Sequence, residues 1–188
     1  QLSTYFISSR CGNLFLNEDL HAFVDVKDRL NCSAHSPYIH DPVLKTQMFN
    51  ADQIWLVSNW RDWQSQRLLQ SVQNISSKYS ASVVVFGAKN FGVDNTRFWL
   101  SVPVINRSFV ASQSNLDHQR INNFIKNKFD SKLFIDVSNI FCNDSYSCPV
   151  FNDGYLITSD GLHLTNIGAR ILGDALQVRY GKILQLVD

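Results

Sequence analysis

Apolar residues fall along this chain in two rhythms. Ile54-Trp55-Leu56-Val57 and Val83-Val84-Val85-Phe86 are short, almost unbroken apolar runs, as expected of parallel strands covered on both faces. They predict strands over residues 51–58 and 82–87, the second β-branched and closed by Gly87. Between them, residues 64–79 carry Leu68, Leu69, Val72 and Ile75 at helical spacing, with Gln and Ser on the opposite face. Residues 115–129 repeat that pattern with Leu116, Ile121, Phe124 and Ile125, and residues 132–137 read as another strand. Asp41-Pro42 starts a helix over residues 43–49. Residues 5–8 read as a buried strand, and residues 182–187 as a last short one. Residues 14–42 read as a long loop with one short helix around residues 19–23; residues 88–107 and 141–154 also read as loops. Strands separated by helices of this length make βαβ units. The expected class is therefore α/β: a mostly parallel sheet with helices on both faces, in a single domain.

In such sheets the active site lies beyond the C-terminal ends of the strands. That rim gathers Ser8 and Ser9, Ser58 to Trp60, Gly87 to Asn90, and Asp136. The stretch Thr158-Ser159-Asp160-Gly161-Leu162-His163-Leu164-Thr165 reaches the same rim and leads into a helix from Asn166 towards Leu176. Asp160 and His163 are three positions apart, so both can face one cleft. The carboxylate can then orient the imidazole, leaving the second ring nitrogen to take a proton from a nucleophile. The plainer reading is a helix cap, with Asp or Thr accepting from the first helical N–H groups.

Composition narrows the function classes. The chain has 188 residues, 45% of them apolar, and a net charge of +1. It can bury one core, and it carries no basic field to suit nucleic acid. No apolar run is long enough to cross a membrane, and no signal peptide is visible. The abrupt start leads us to expect a chain cut inside its domain. The histidines lack zinc-binding spacing, so no metal or other cofactor is expected. His21, His35, His40 and His118 are weaker candidates than His163. Of the four cysteines, Cys11 with Cys32 and Cys142 with Cys148 make the simplest pairing, which would imply an oxidising compartment; four reduced, buried thiols are the alternative. Asn31, Asn74, Asn106 and Asn143 each begin an Asn-x-Ser triplet, which a eukaryotic secretory pathway could glycosylate. Trp60, Trp63 and Trp99 are either core residues or a platform for a sugar ring.

Several segments, in order, resemble one family. They are Ile54-Trp55-Leu56-Val57-Ser58-Asn59-Trp60; Val83-Val84-Val85-Phe86-Gly87; Phe134-Ile135-Asp136 leading to Phe141-Cys142; Cys148-Pro149-Val150; and Asp160-Gly161-Leu162-His163-Leu164-Thr165. The set resembles the SGNH (GDSL-like) hydrolases, most closely the periplasmic SGNH domain of membrane acyltransferases that O-acetylate bacterial surface polysaccharides such as lipopolysaccharide. The resemblance implies a three-layer αβα, flavodoxin-like fold. It also implies a serine nucleophile, Asp160 to orient the base, and His163 as general base and acid. Asn59 and Gly87 become candidate oxyanion donors. The implied partners are an acylated donor or a membrane acyltransferase domain, and a carbohydrate acceptor. The implied location is periplasmic or extracellular.

The chain departs from the family at the nucleophile. It contains no Gly-Asp-Ser, and residues 5–11 match the family's second strand better than its first. The expectation is that the first strand and its serine precede Gln1. Ser9 as a degenerate nucleophile, and a domain that binds a glycan or partner without catalysis, are the alternatives.

Overall fold

The two apolar runs pair as strands. β1 (Gln53–Val57) and β2 (Ser82–Phe86) lie parallel, in register from Gln53 opposite Ser82 to Val57 opposite Phe86. A third strand completes a parallel sheet in which β2 is central. The structure is a computed structural model that describes residues 3–11, 14–33, 41–92 and 96–184; of Ser9 and Ser33 it describes the backbone alone. The α/β class read from the sequence is the one observed, consistent with an αβα fold. The chain divides into two compact units, Gln1–Phe86 with Phe124–Phe134, and Gly87–Asn123 with Ile135–Asp188.

The first unit holds helices α1 (Arg29–Ser33), α2 (Pro42–Phe49) and α3 (Asp62–Lys78) with β1 and β2. Asp41 caps α2 by accepting from the N–H groups of Val43 at 2.7 Å and Leu44 at 3.0 Å. On α3, Leu68, Val72 and Ile75 are buried, as are Val83 to Phe86 of β2, which α3 contacts. The polar face expected on α3 is not wholly solvated. Ser71 is buried and accepts from the Phe15 N–H at 2.7 Å, and Asn74 donates to the Phe15 carbonyl at 3.0 Å. These bonds pin an irregular segment, whose Leu14 and Leu16 are buried, onto the helix. Trp60 is 1% exposed and its Nε1 donates to the Phe86 carbonyl at 2.7 Å, so it is a core residue and not a sugar platform. A disulfide joins Cys11 to Cys32. The short helix around residues 19–23 is a 3-10 turn, Leu20–Phe23, capped by Asp19. Residues 5–8 are not a strand, and Phe6 is 90% exposed. An apolar run of that length becomes a strand only where a ladder partner and a covering layer are at hand. His35 and His40 lie outside the described residues.

The second unit contains more short regular elements than its sequence suggests. The stretch read as a loop over residues 88–107 contains α4 (Thr96–Ser101) and runs into a 3-10 turn, Val104–Phe109. β3 (Ala111–Gln113) follows, and then α5 (Leu116–Lys126), whose last turn belongs to the first unit. On α5, Ile121 and Ile125 are buried but Leu116 is 77% exposed, so the apolar stripe is narrower than the pattern implied. The third strand of the sheet is β4 (Phe134–Ile135), which bridges the two units along the chain and is shorter than residues 132–137. The one-turn helix α6 (Ser138–Phe141) follows. The stretch read as a loop over residues 141–154 contains β5 (Ser147–Pro149), antiparallel to β3, and β6 (Phe151–Asn152), antiparallel to β7 (Tyr155–Leu156). The Cys142–Cys148 disulfide closes the bend between α6 and β5. Phe91 meets Phe141 edge-on, 5.1 Å between ring centres, in a core with Ile135, Val137, Val150, Phe151 and Ile157. α7 (Asn166–Tyr180) runs a turn past Leu176; residues 181–184 form a turn, and the remainder of the expected last strand, residues 185–187, lies outside the described residues. Among the described residues no helix is long and apolar enough to cross a membrane.

Candidate active site

The stretch before α7 is a closed loop. Thr158 and Leu164 make an antiparallel bridge across its base. The Thr158 hydroxyl donates to the His163 carbonyl at 2.8 Å, and the Ser159 N–H donates to the same oxygen at 3.1 Å. Gly161 turns the loop at φ 77°, a conformation that strains residues with a Cβ. Gly168, in the first turn of α7, is required for a different reason. A Cβ there would lie 2.2 Å from the Ile157 carbonyl oxygen, so only glycine lets the helix sit this close to the residue that follows β7.

The helix cap is Thr165, whose hydroxyl accepts from the Gly168 N–H at 3.2 Å and donates to the Leu156 carbonyl at 2.6 Å. Asp160 is thereby left to another task. Its Oδ1 accepts from the N–H groups of Leu162 at 2.9 Å and His163 at 2.6 Å, and its Oδ2 lies 2.5 Å from Nδ1 of His163. An ionised carboxylate can only accept, so Nδ1 carries a proton, and in the neutral ring Nε2 presents a lone pair. Partial burial acts to raise the Asp160 pKa. The N–H and ring of His163 and the N–H of Leu162 outweigh it and hold the carboxyl at about 2, against an ordinary 3.8. The side chain of His163 is 78% exposed and that of Asp160 47% exposed. The pair is an oriented imidazole open to a reactant, which is the arrangement general acid–base chemistry uses.

Other sequence candidates stand as follows. Gly87 is buried at the end of β2, and its N–H donates to the Ile135 carbonyl at 2.8 Å. That amide is committed to the sheet, so Gly87 does not offer a donor to an oxyanion. Asn90 uses its Oδ1 to accept from the Gly92 N–H at 2.9 Å, and its amide nitrogen lies 3.5 Å from Nδ1 of His118. His118 is half-buried, which lowers its pKa against the opposing charge of Asp117. Asn59 is exposed just after β1, in the first unit. Ser9 opens a 3-10 turn, Ser9–Cys11, also in the first unit, and its side chain lies outside the described residues. Among the described residues no group of three His, Cys, Asp or Glu side chains gathers as a metal site would need.

Two residues were given no role of their own by the sequence. Lys89, half-buried, donates from Nζ to the carbonyl of Leu162, inside the Asp160–His163 loop. Burial lowers its pKa, and the Asp160 carboxylate opposes that shift. Asn122 is buried in α5; its Oδ1 accepts from the Ala88 N–H at 2.9 Å and its Nδ2 donates to the Ala88 carbonyl at 2.8 Å. Lys89 had one available signal, its place at a strand end. Asn122 had none, since a lone Asn in a helix usually faces water.

Over residues 3–177 the chain matches the family described as "SGNH domain (fused to AT3 domains)". It belongs to that family, whose members are hydrolase-like domains associated with acyl transfer. No curated protein and no solved structure matches the chain.

Proposed function

We propose that this chain supplies the acid–base half of a serine acyl-transfer site acting on carbohydrate, as an O-acetyltransferase or acetylesterase. The observation that carries this reading is the Asp160 carboxylate on Nδ1 of an exposed His163, with Thr165 and not Asp160 serving as the helix cap. Family membership supports the same chemistry. A serine hydroxyl attacks the acyl carbonyl while Nε2 of His163 takes its proton. The imidazolium, steadied by Asp160, then protonates the leaving alkoxide, and an acyl-serine remains. In the second half a sugar hydroxyl or water attacks that ester, His163 removes its proton, and the imidazolium returns that proton to the serine oxygen as the acyl–serine bond breaks. Asn59 is proposed as the side-chain donor to the oxyanion.

Residues 1–188 contain no Gly-Asp-Ser. The nucleophile is proposed to come from such a segment outside them, with Ser9 as the alternative inside them. We also read the chain as one SGNH-like domain, attached to a membrane acyltransferase domain that passes it the acyl group, on the periplasmic or extracellular side. The family's AT3 fusion and the two disulfides support that placement.

The test is labelling of the full-length gene product with a fluorophosphonate. One serine should label, and His163→Ala should abolish both labelling and acetylesterase turnover, a loss of about 10⁴-fold, without unfolding the protein. Full labelling in that variant would remove His163 from the reaction. The absence of any reactive serine in the full-length protein would favour a domain that binds a glycan or partner without catalysis.

A further inference from the structure

The turn that follows β2 grips the Asp160–His163 loop at two consecutive carbonyls. The Phe91 N–H donates to the Gly161 oxygen at 2.8 Å, and Lys89 donates to the Leu162 oxygen. The first bond is backbone to backbone and any residue could make it. The second brings a cation into a half-buried position, where desolvation opposes it. A neutral donor would hold a carbonyl at less cost, so the charge calls for a reason. Asp160 supplies one: its Oδ1 accepts from the N–H of Leu162, the residue whose carbonyl Lys89 holds, which brings the ammonium within the field of that carboxylate.

The backbone from which Lys89 projects is unusually well held. Ala88, its neighbour, has its N–H and carbonyl both bonded to the side chain of Asn122, and the Ser138 hydroxyl donates to the same carbonyl at 3.1 Å. The second amide hydrogen of Asn122 reaches Asp136 at 3.2 Å. Asn122 and Ser138 are buried, and buried polar networks that are fully bonded are rigid. A rigid base beneath a long side chain is what is needed to place an ammonium, and through it a loop.

We propose that Lys89 is a positioning residue for the acid–base pair. Its ammonium holds the Leu162 carbonyl and faces the Asp160 charge, so that the carboxylate stays on Nδ1 of His163 and Nε2 stays turned outward. This rests on the acid–base reading of His163. The ordinary alternative is a lysine that buries its stem and ties down a loop, with no bearing on the imidazole.

The experiment uses the full-length protein with Lys89→Met, Lys89→Arg and Lys89→Gln. Long-range proton–nitrogen NMR at alkaline pH reads which nitrogen of the His163 ring carries the proton. The unmodified protein should show Nδ1 protonated. Lys89→Met should move both nitrogens towards the tautomer average and lower kcat for p-nitrophenyl acetate by about tenfold or more, with KM little changed. Lys89→Arg should restore both readouts. Should Lys89→Met not fold, Lys89→Gln keeps a donor without the charge and should show the same tautomer shift. Wild-type tautomer signals in the folded Met or Gln variant would overturn the proposal. A tautomer that responds to Lys89 while His163→Ala leaves turnover intact would uphold the positioning and remove the acid–base reading instead.

Discussion

In β1–α3–β2 the backbone is satisfied by its own ladder and helix, and the side chains are chiefly there to pack. Leu68, Val72, Ile75 and Val83 to Phe86 are buried, and their positions repeat at helical or strand spacing. Between Gly87 and Thr165 the terms are reversed. Strands there are two or three residues long, and polar side chains hold the chain: Asn122 on Ala88, Thr96 on the Ser159 carbonyl at 2.7 Å, Arg107 on the Gly154 carbonyl at 2.8 Å, Thr158 on the His163 carbonyl. The first region draws its stability chiefly from buried area, and its buried polar groups, such as Ser71, tie a neighbouring segment to that packed frame. The second depends on a few directional bonds, and those of Thr96 and Thr158 fall on the Asp160–His163 loop itself. A segment assembled in this second way can carry chemistry because its geometry is set atom by atom.

The contrast can be broken at both ends. Leu68→Ala should have the largest effect on stability, about 2–5 kcal/mol in urea unfolding, since it opens a cavity in a fully buried site. The tautomer signal of His163 in the folded fraction should not change; if it did, the two regions would be less separate than their construction suggests. Asn122→Ala should cost less, about 1–3 kcal/mol, because it orphans the Ala88 N–H rather than removing packed volume. It should however loosen the Phe91 amide in hydrogen exchange and disturb the His163 ring, which Leu68→Ala should not. Equal protection of Phe91 in both variants would sink that distinction.

The smallest effect concerns Asp160. Its folded pKa of about 2 lies below the ordinary 3.8, so in acid the unfolded chain takes up a proton that the folded chain refuses. Its contribution to stability is therefore complete above about pH 4 and is lost as pH falls towards 2. The carboxyl is half-exposed, so the contribution should be no more than about 1 kcal/mol. The stability gap between the wild type and Asp160→Asn should shrink over that interval. A gap that stayed constant would mean that the carboxylate does not prefer its folded surroundings.

Strands β1 and β2 and α3 were legible because burial imposes a period, and a period can be read without knowing what covers it. The pairing of Cys11 with Cys32 and of Cys142 with Cys148 was legible from spacing. So was the Asp160–His163 pair, because three positions of a tight loop bring the two side chains together with no help from elsewhere. Residues 5–8 show the limit of that method. Their apolar run is no different in kind from Val83–Phe86, but a strand exists only where another strand accepts its hydrogen bonds. Tertiary structure alone decided that Gly87 spends its N–H on Ile135, that Thr165 takes the cap and frees Asp160, and that Lys89 meets Leu162 across 73 positions of chain. Each of these turns on which partner reaches a polar group first, and a directional bond between distant residues leaves no period in the sequence.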